Sequence, residues 1–265
     1  MKRILSRPPA VRKSNDAKAY SAPALEKGLD VIELLARQSG GLTKSSIARE
    51  LNRTVSEVFR MLVCLEQRGY ISQLEGEAYS LTLKLFKLVQ EHPPTERLIA
   101  NAIPIMHHIA QETLQSCHLG VIEDGRVVIL AQVNAPTRAG FYVKLGSTID
   151  ALDAATGYVI LAHQDKAVRD RTLREWQEKT GKQLPASING HFARIRRAGC
   201  EKRASYQVRG VVNITYPIFG DRGFAVGAIT VPFIQHAQAT STPAKVASVL
   251  QRYAMEITAS IGGKK

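Results

Sequence analysis

Apolar residues recur at helical spacing from 24 to 38, through Leu25, Leu29, Ile32, Leu35 and Ala36. That period predicts an amphipathic helix, closed by Gly40-Gly41. A shorter helix is expected over 43–51, with Thr43 as its N-cap and Ile47, Ala48 and Leu51 inward. Asn52-Arg53 makes a tight turn. A third helix then runs over 54–67 and ends at Gly69, its inward stripe being Val55, Val58, Met61, Leu62 and Leu65. The period next drops to two. Tyr70 to Leu74 and Ala78 to Leu81 flank Glu75-Gly76-Glu77, the pattern of a short hairpin. Helix, short helix, turn, helix and hairpin make a winged helix-turn-helix, a geometry that lays its third helix in the DNA major groove.

Beyond this module, His92-Pro93-Pro94 breaks the chain. A helix is expected over 95–115, through Leu98, Ile99, Ala102, Ile105, Met106 and Ile109, with Pro104 bending or splitting it. Strands follow at 119–122 and 127–130 around the turn Glu123-Asp124-Gly125-Arg126, and at Phe141-Tyr142-Val143. Helices are predicted over 154–162, 166–177 and 185–198. Strands over 211–219 and 224–233 are joined by Gly220-Asp221-Arg222-Gly223, and a helix over 243–261 closes the chain. Paired strands bracketed by helices give an α+β class with an antiparallel sheet, better suited to a cup-like sensor than to a dinucleotide fold. The expected organisation is a basic arm over 1–21, the winged helix-turn-helix over 22–91, a linker helix over 92–116 and a second domain over 117–265.

Charge sharpens this picture. The 265 residues carry 36 Lys and Arg against 23 Asp and Glu, a formal charge of +13, which favours a polyanionic partner. Residues 1–18 hold six of these cations against the single acid Asp16, and read as a disordered arm that reaches along DNA. The run from Lys166 to Arg203, eleven cations against four acids, reads as a solvated helical face or as a second contact for DNA or an acidic partner. Three scattered cysteines give no disulfide framework and point to the cytoplasm. The apolar runs are too short to span a membrane.

The chemistry of catalysis is missing. No GxSxG elbow, P-loop, GxGxxG or HExxH occurs. His107 and His108 are adjacent on a helix, and Cys117 and His118 point to opposite faces of a strand. A lone member of the second pair is left as the one route to a metal site. No catalytic residue, metal, cofactor or membrane partner is called for.

The DNA-facing candidates follow from helix geometry. Thr43, Lys44 and Ser45 open the second helix, where backbone N–H groups and a lysine suit a phosphate. On the third helix, Ser56 is the candidate for a base edge. Arg60 is read as a phosphate or base contact, with a solvated surface role as the alternative. Thr54-x-x-Glu57 is also a capping box, so Glu57 either closes the helix or reaches a base.

Several segments then resemble one family in order along the chain. Ala24-Leu25-Glu26-Lys27-Gly28-Leu29-Asp30-Val31-Ile32-Glu33-Leu34-Leu35, Ile47-Ala48-Arg49-Glu50-Leu51, Val58-Phe59-Arg60-Met61-Leu62 and Leu65-x-x-Arg68-Gly69-Tyr70-Ile71 resemble the DNA-binding domain of the IclR family of bacterial regulators. Gly146-Ser147-x-Ile149, Ala154-Ala155-Thr156-Gly157-x-x-Ile160-Leu161-Ala162, Ile195-Arg196-Arg197-Ala198-Gly199, Gly210-Val211, Pro217-Ile218-Phe219 and Ala228-Ile229-Thr230-Val231 resemble its effector-binding domain. The resemblance covers about residues 22–262. It implies a GAF-like sensor domain, operator DNA and a small-molecule effector as partners, and a homodimer or dimer of dimers. The chain departs from the family at Thr54 and Glu57, where Pro and Ser or Thr are usual.

Carried over by position, the resemblance places the effector on Leu119, on the loop residues Ala151, Leu152 and Asp153, on Val211 and Asn213, and on Thr230 and Pro232. The lining is mainly apolar with a few polar groups, as a small-ligand site requires. Asp153 is equally placed to N-cap the next helix, and Asn213 and Thr230 to be ordinary strand residues. The implied effector is an organic acid or aromatic catabolite. Two rival functions are an enzyme acting on a small organic acid with a DNA-tethering module, and a non-specific DNA binder driven by charge.

Overall fold

A computed structural model of the chain describes residues 22–90, 93–235 and 241–265. The predicted basic arm lies outside the described residues. The chain divides into two compact units, Met1–Glu91 and His92–Lys265.

The first unit is built from α1 (Pro23–Leu35), β1 (Leu42–Thr43), α2 (Lys44–Glu50), α3 (Val55–Gln67), β2 (Ile71–Gln73), β3 (Ala78–Leu81) and α4 (Lys84–Gln90). The strands form an antiparallel sheet in the order β1-β3-β2. Ile71 pairs with Leu81 and Gln73 with Tyr79, so the expected wing is present, and β1 adds a third strand to it. Val31, Leu35, Ile47, Ala48, Val58, Leu62, Ile71 and Tyr79 make one core. The predicted inward stripes are corrected at their ends. Leu25 and Leu29 are 63% and 48% exposed and Val55 is 44% exposed, because α1 gives its core contacts from its C-terminal half and Val55 is the first residue of α3. The seven-residue α4 was not expected.

The second unit begins with α5 (Pro93–Thr113), which remains one helix through Pro104. Pro104 lies on its exposed side, while Leu98, Ala102, Ile105, Met106 and Ile109 hold the other side in the core. There follow β4 (Cys117–Glu123), β5 (Arg126–Val133), β6 (Thr148–Asp150), α6 (Ala155–Ala162), α7 (Lys166–Thr180), α8 (Ile188–Ala198), β7 (Glu201–Ala204), β8 (Val212–Phe219), β9 (Ala225–Phe233) and α9 (Pro243–Ser260). The strands form one sheet in the order β6-β5-β4-β9-β8-β7, antiparallel at every pairing. Phe141-Tyr142-Val143 is not a strand. The edge of β5 is taken instead by β6, with Val127 opposite Ile149.

Two apolar layers cover the sheet. Leu119, Ala131, Ile214, Tyr216, Ile229 and Val231 pack against α5 and α9 in one cluster. On the other side, α6 and α8 bring Val159, Ile160, Leu161, Phe192 and Ile195 together with Trp176 and Ala228. Alternation along each strand, broken by register shifts at Leu119/Gly120 and Ile218/Phe219, divides the sheet residues between the α5/α9 face and the α6 face.

Candidate functional site

The DNA-facing candidates gather on two helix starts. Thr43 caps α2, its hydroxyl accepting from the Ser46 N–H at 3.3 Å. Lys44 stands at the first position of α2 with its ammonium 4.9 Å from the centre of the Phe59 ring on α3, and Ser45 is exposed beside it. Ser56, Phe59 and Arg60 are all exposed on one side of α3.

Thr54 and Glu57 have other duties. Thr54 Oγ1 accepts from the Glu57 N–H at 3.3 Å, and the Glu57 carboxylate accepts from the Thr54 N–H at 3.1 Å, so the capping box is complete. The second carboxylate oxygen of Glu57 holds the Lys27 ammonium at 2.6 Å. Hydrogen bonding from Lys27, and then from Thr54, pulls the Glu57 carboxyl down to about 2. Of the two roles open to Glu57 in the sequence, the structure shows the cap. Asp30 and Arg53, 2.7 Å apart, make a second tie between α1 and the start of α3. Sequence reading missed both ties, because they join residues 23 and 30 positions apart.

The effector candidates divide by face. Thr230 points toward α6: its hydroxyl lies 2.9 Å from the hydroxyls of both Thr156 and Thr215. Asn213 and Pro232 are cross-strand partners, two residues along β8 and β9 from the Thr215–Thr230 pair and so on the same face. Val211 is buried just before β8, and Ala151 and Leu152 are buried beneath α6. Asp153 does not cap that helix. Ala154 occupies the N-cap without a side-chain bond, and Asp153 instead faces the Lys182 ammonium at 3.8 Å.

Leu119 is the exception. It is fully buried on the α5/α9 face, away from Thr230 and Asn213. Its neighbour His118 is the β4 residue opposite Thr230. The register extends this row across five strands as Gln132, His118, Thr230, Thr215 and Glu201. Gly120, the next residue on that side of β4, has no room for a side chain, since a Cβ there would lie 2.9 Å from Thr156. His118 is 6% exposed, and burial alone pushes its imidazole down to about 4. On β7, Arg203 lies opposite Asn213 with its guanidinium 4.7 Å from the Tyr158 ring. Neither Arg203 nor Tyr158 was singled out in the sequence.

Among the described residues no group of three or more His, Cys, Asp or Glu is arranged to hold a metal. Cys117 and His118 do lie on opposite faces of β4: the Cys117 thiol donates to the Met106 carbonyl at 3.4 Å and is raised by burial to about 12. No helix among the described residues is long and apolar enough to cross a membrane.

Comparison with known proteins adds identity to this geometry. The family model for the IclR helix-turn-helix domain matches residues 24–75, and the model for the bacterial transcriptional regulator IclR C-terminal domain matches residues 95–259. The chain is 23% identical over 253 residues to the HTH-type transcriptional regulator KdgR of Escherichia coli, covering 93% of this chain and 95% of that protein. It is 26% identical over 213 residues to the HTH-type transcriptional regulator BhcR of Paracoccus denitrificans, covering 78% and 76%. The crystal structure of an IclR homologue from Microbacterium hydrocarbonoxydans, complexed with 4-hydroxybenzoate, shares the fold with a TM-score of 0.73 at 20% identity, covering 90% of this chain and 98% of that one. With both family models matched in order and together spanning most of its length, the chain belongs to the IclR family of bacterial transcriptional regulators.

Proposed function

We propose that this regulator reads its operator through Ser56 and Arg60 on α3, with Thr43, Lys44 and Ser45 seated on a phosphate at the start of α2. The exposed Ser56–Arg60 side of the third helix carries this reading. Thr54 and Glu57 shape that surface from within, as the cap that fixes where α3 begins. Residues 22–91 serve as the DNA-binding domain. Residues 117–265 serve as the sensor, and the linker helix over 92–116 is α5, whose apolar side packs into the sensor core, in keeping with a C-terminal family match that starts at residue 95.

The effector, a small organic acid or aromatic compound, occupies the α6 face of the sheet, between the loop Ala151–Asp153 and the residues Asn213, Thr230 and Pro232. Ligand binding shifts the operator-bound population through its differential affinity for two arrangements of the protein. The working form is a homodimer or dimer of dimers in the cytoplasm, which suits paired half-sites. Support for self-association comes from Leu25 and Leu29, exposed one turn apart on α1.

The test is fluorescence anisotropy of the full chain on duplexes from the region upstream of its own gene and on random duplexes. It is run with and without a panel of small acids headed by 4-hydroxybenzoate, the ligand of the structural neighbour. Specific affinity that one panel compound alters, and that Arg60→Ala weakens, supports the reading. Equal affinity for both duplexes, with only a salt slope, would instead mark a non-specific binder.

A further inference from the structure

Two polar atoms on neighbouring strands of the α6 face stand buried without a hydrogen-bond partner: His118 Nδ1 on β4 and Gln132 Oε1 on β5. His118 and Gln132 are directly opposed in the β4–β5 register, a spacing that leaves Cβ atoms about 5 Å apart. Their chemistry is complementary rather than redundant. Gln132 Nε2 already donates to the carbonyls of Val133 and Phe141, which fixes Oε1 as an acceptor. A neutral imidazole offers either a donor or an acceptor at Nδ1. Beside them Thr156, Thr230 and Thr215 are joined hydroxyl to hydroxyl and satisfy one another.

We propose that His118 and Gln132 are the hydroxyl-reading end of the effector cup, taking a ligand group that donates to Gln132 Oε1 while it accepts from His118 Nδ1–H. This rests on the reading of the α6 face as the effector site. An alcohol or phenol performs both tasks with one oxygen. An ether or ketone oxygen only accepts, which leaves Gln132 Oε1 unmet. A carboxylate also only accepts, and sets its charge against the Gln132 carbonyl. His118 is kept neutral here by its burial, and its row neighbours Gln132 and Thr230 carry no charge. A charged group elsewhere on the ligand is therefore turned away from this end. Arg203, on the same face across the sheet, has a buried Nη1 without a partner and is the cation available to such a group.

The test uses three probes of similar size, phenol, anisole and benzoate, added to the uniformly 15N-labelled full-length protein and followed by NMR of the backbone amides and the histidine imidazole nitrogens. Phenol is expected to shift the His118 imidazole nitrogens saturably together with the Thr230 and Asn213 amides. Anisole and benzoate are expected to bind at least about tenfold more weakly, the loss set by one unmet hydrogen bond. His118→Leu is expected to bring phenol to the level of anisole with no loss of thermal stability, because it removes an unpaired polar group. Equal affinities for the three probes overturn the proposal, as does phenol binding that His118→Leu leaves intact or that variant losing binding only through unfolding. Phenol shifts at Thr230 and Asn213 with an unmoved His118 overturn it while the effector site stands. No shift at any of these residues removes the effector-site reading, and this inference with it.

Discussion

Gly157 and Gly190 make a matched pair for testing how α6 holds the loop Ala151–Asp153. Each is the third residue of its helix, in α6 and α8 respectively, so Gly→Ala offers the same propensity gain at both, about 1 kcal/mol. Their surroundings are opposite. A Cβ on Gly157 would fall 2.0 Å from the Ala151 carbonyl oxygen and 2.7 Å from that residue's carbonyl carbon, whereas nothing lies within 4 Å of a Cβ on Gly190. The obstacle at Gly157 is backbone, so the loop Ala151–Asp153 must move. Overpacking of this kind costs about 3 kcal/mol at the upper end of its usual range. The balance at Gly157→Ala is a net loss of about 2 kcal/mol, set against a gain of about 1 at Gly190→Ala. In a unit of this size that means a fall in Tm of about 4–8 °C for Gly157→Ala and a rise of about 2–4 °C for Gly190→Ala. The assay is thermal unfolding followed by the fluorescence of Trp176, the single tryptophan, which is buried in the same cluster as α6. Gly157→Ala should also weaken effector binding, since Ala151 and Leu152 ride on the displaced loop. A Tm for Gly157→Ala at or above the wild-type value would refute the close approach and the role given to it.

Three further outcomes follow from the same geometry. Thr54→Ala removes the hydroxyl that accepts from Glu57 N–H; it should destabilise the first unit by about 1 kcal/mol and weaken operator binding, as read by chemical denaturation and anisotropy. Arg60→Ala should cost about 1–3 kcal/mol with relaxed preference at one base position if Arg60 reads a base, or lower the salt slope by about one if it holds a phosphate; an unchanged affinity at all salt concentrations would return Arg60 to plain surface. For pH, the folded His118 sits near 4 and its ordinary value is 6.5. Below about 6.5 the unfolded chain therefore takes up a proton that the fold refuses, and the second unit loses stability as pH falls toward 4, by up to roughly 3 kcal/mol. His118→Asn should flatten that limb in denaturant titrations reported by Trp176, and an identical slope in both proteins would exclude His118 as its source.

Most of the architecture was legible because most elements carry a one-sided apolar pattern. The third helix shows it in Val58 and Leu62, and α9 in Val246, Val249, Leu250 and Ile257, all buried. The capping box at Thr54 and Glu57 was legible too, though which role Glu57 plays depended on Lys27 reaching it from α1. Elements without a pattern of their own were missed. The basic run that ends at Arg203 reads as a solvated helical face, yet Glu201-Lys202-Arg203-Ala204 is the edge strand β7, and its pairing is supplied entirely by β8. The three-residue β6 is likewise defined by its partner β5. Such edges owe their structure to the neighbouring strand more than to local propensity.

The α6 side of β4 shows the limit most sharply. A strand with one wet face announces its orientation by alternating polar and apolar residues, and a shift of one position then moves every side chain to the other face. Cys117, His118, Leu119 and Gly120 are all buried, because β4 runs through the middle of the sheet with α5 and α9 on one side and α6 on the other. No alternation survives there to be read, and Leu119 is the apolar residue that an apolar cup invites. What decides the matter is pairing. His118 opposes Thr230, whose hydroxyl meets Thr156 of α6, and Gly120 abuts the same threonine. A buried histidine in a central strand is costly unless something pairs with it, and Leu119 fills the opposite core without such a cost. Leu119, which the resemblance placed on the effector, therefore fills the α5/α9 core, and His118 lies on the α6 face of the sheet.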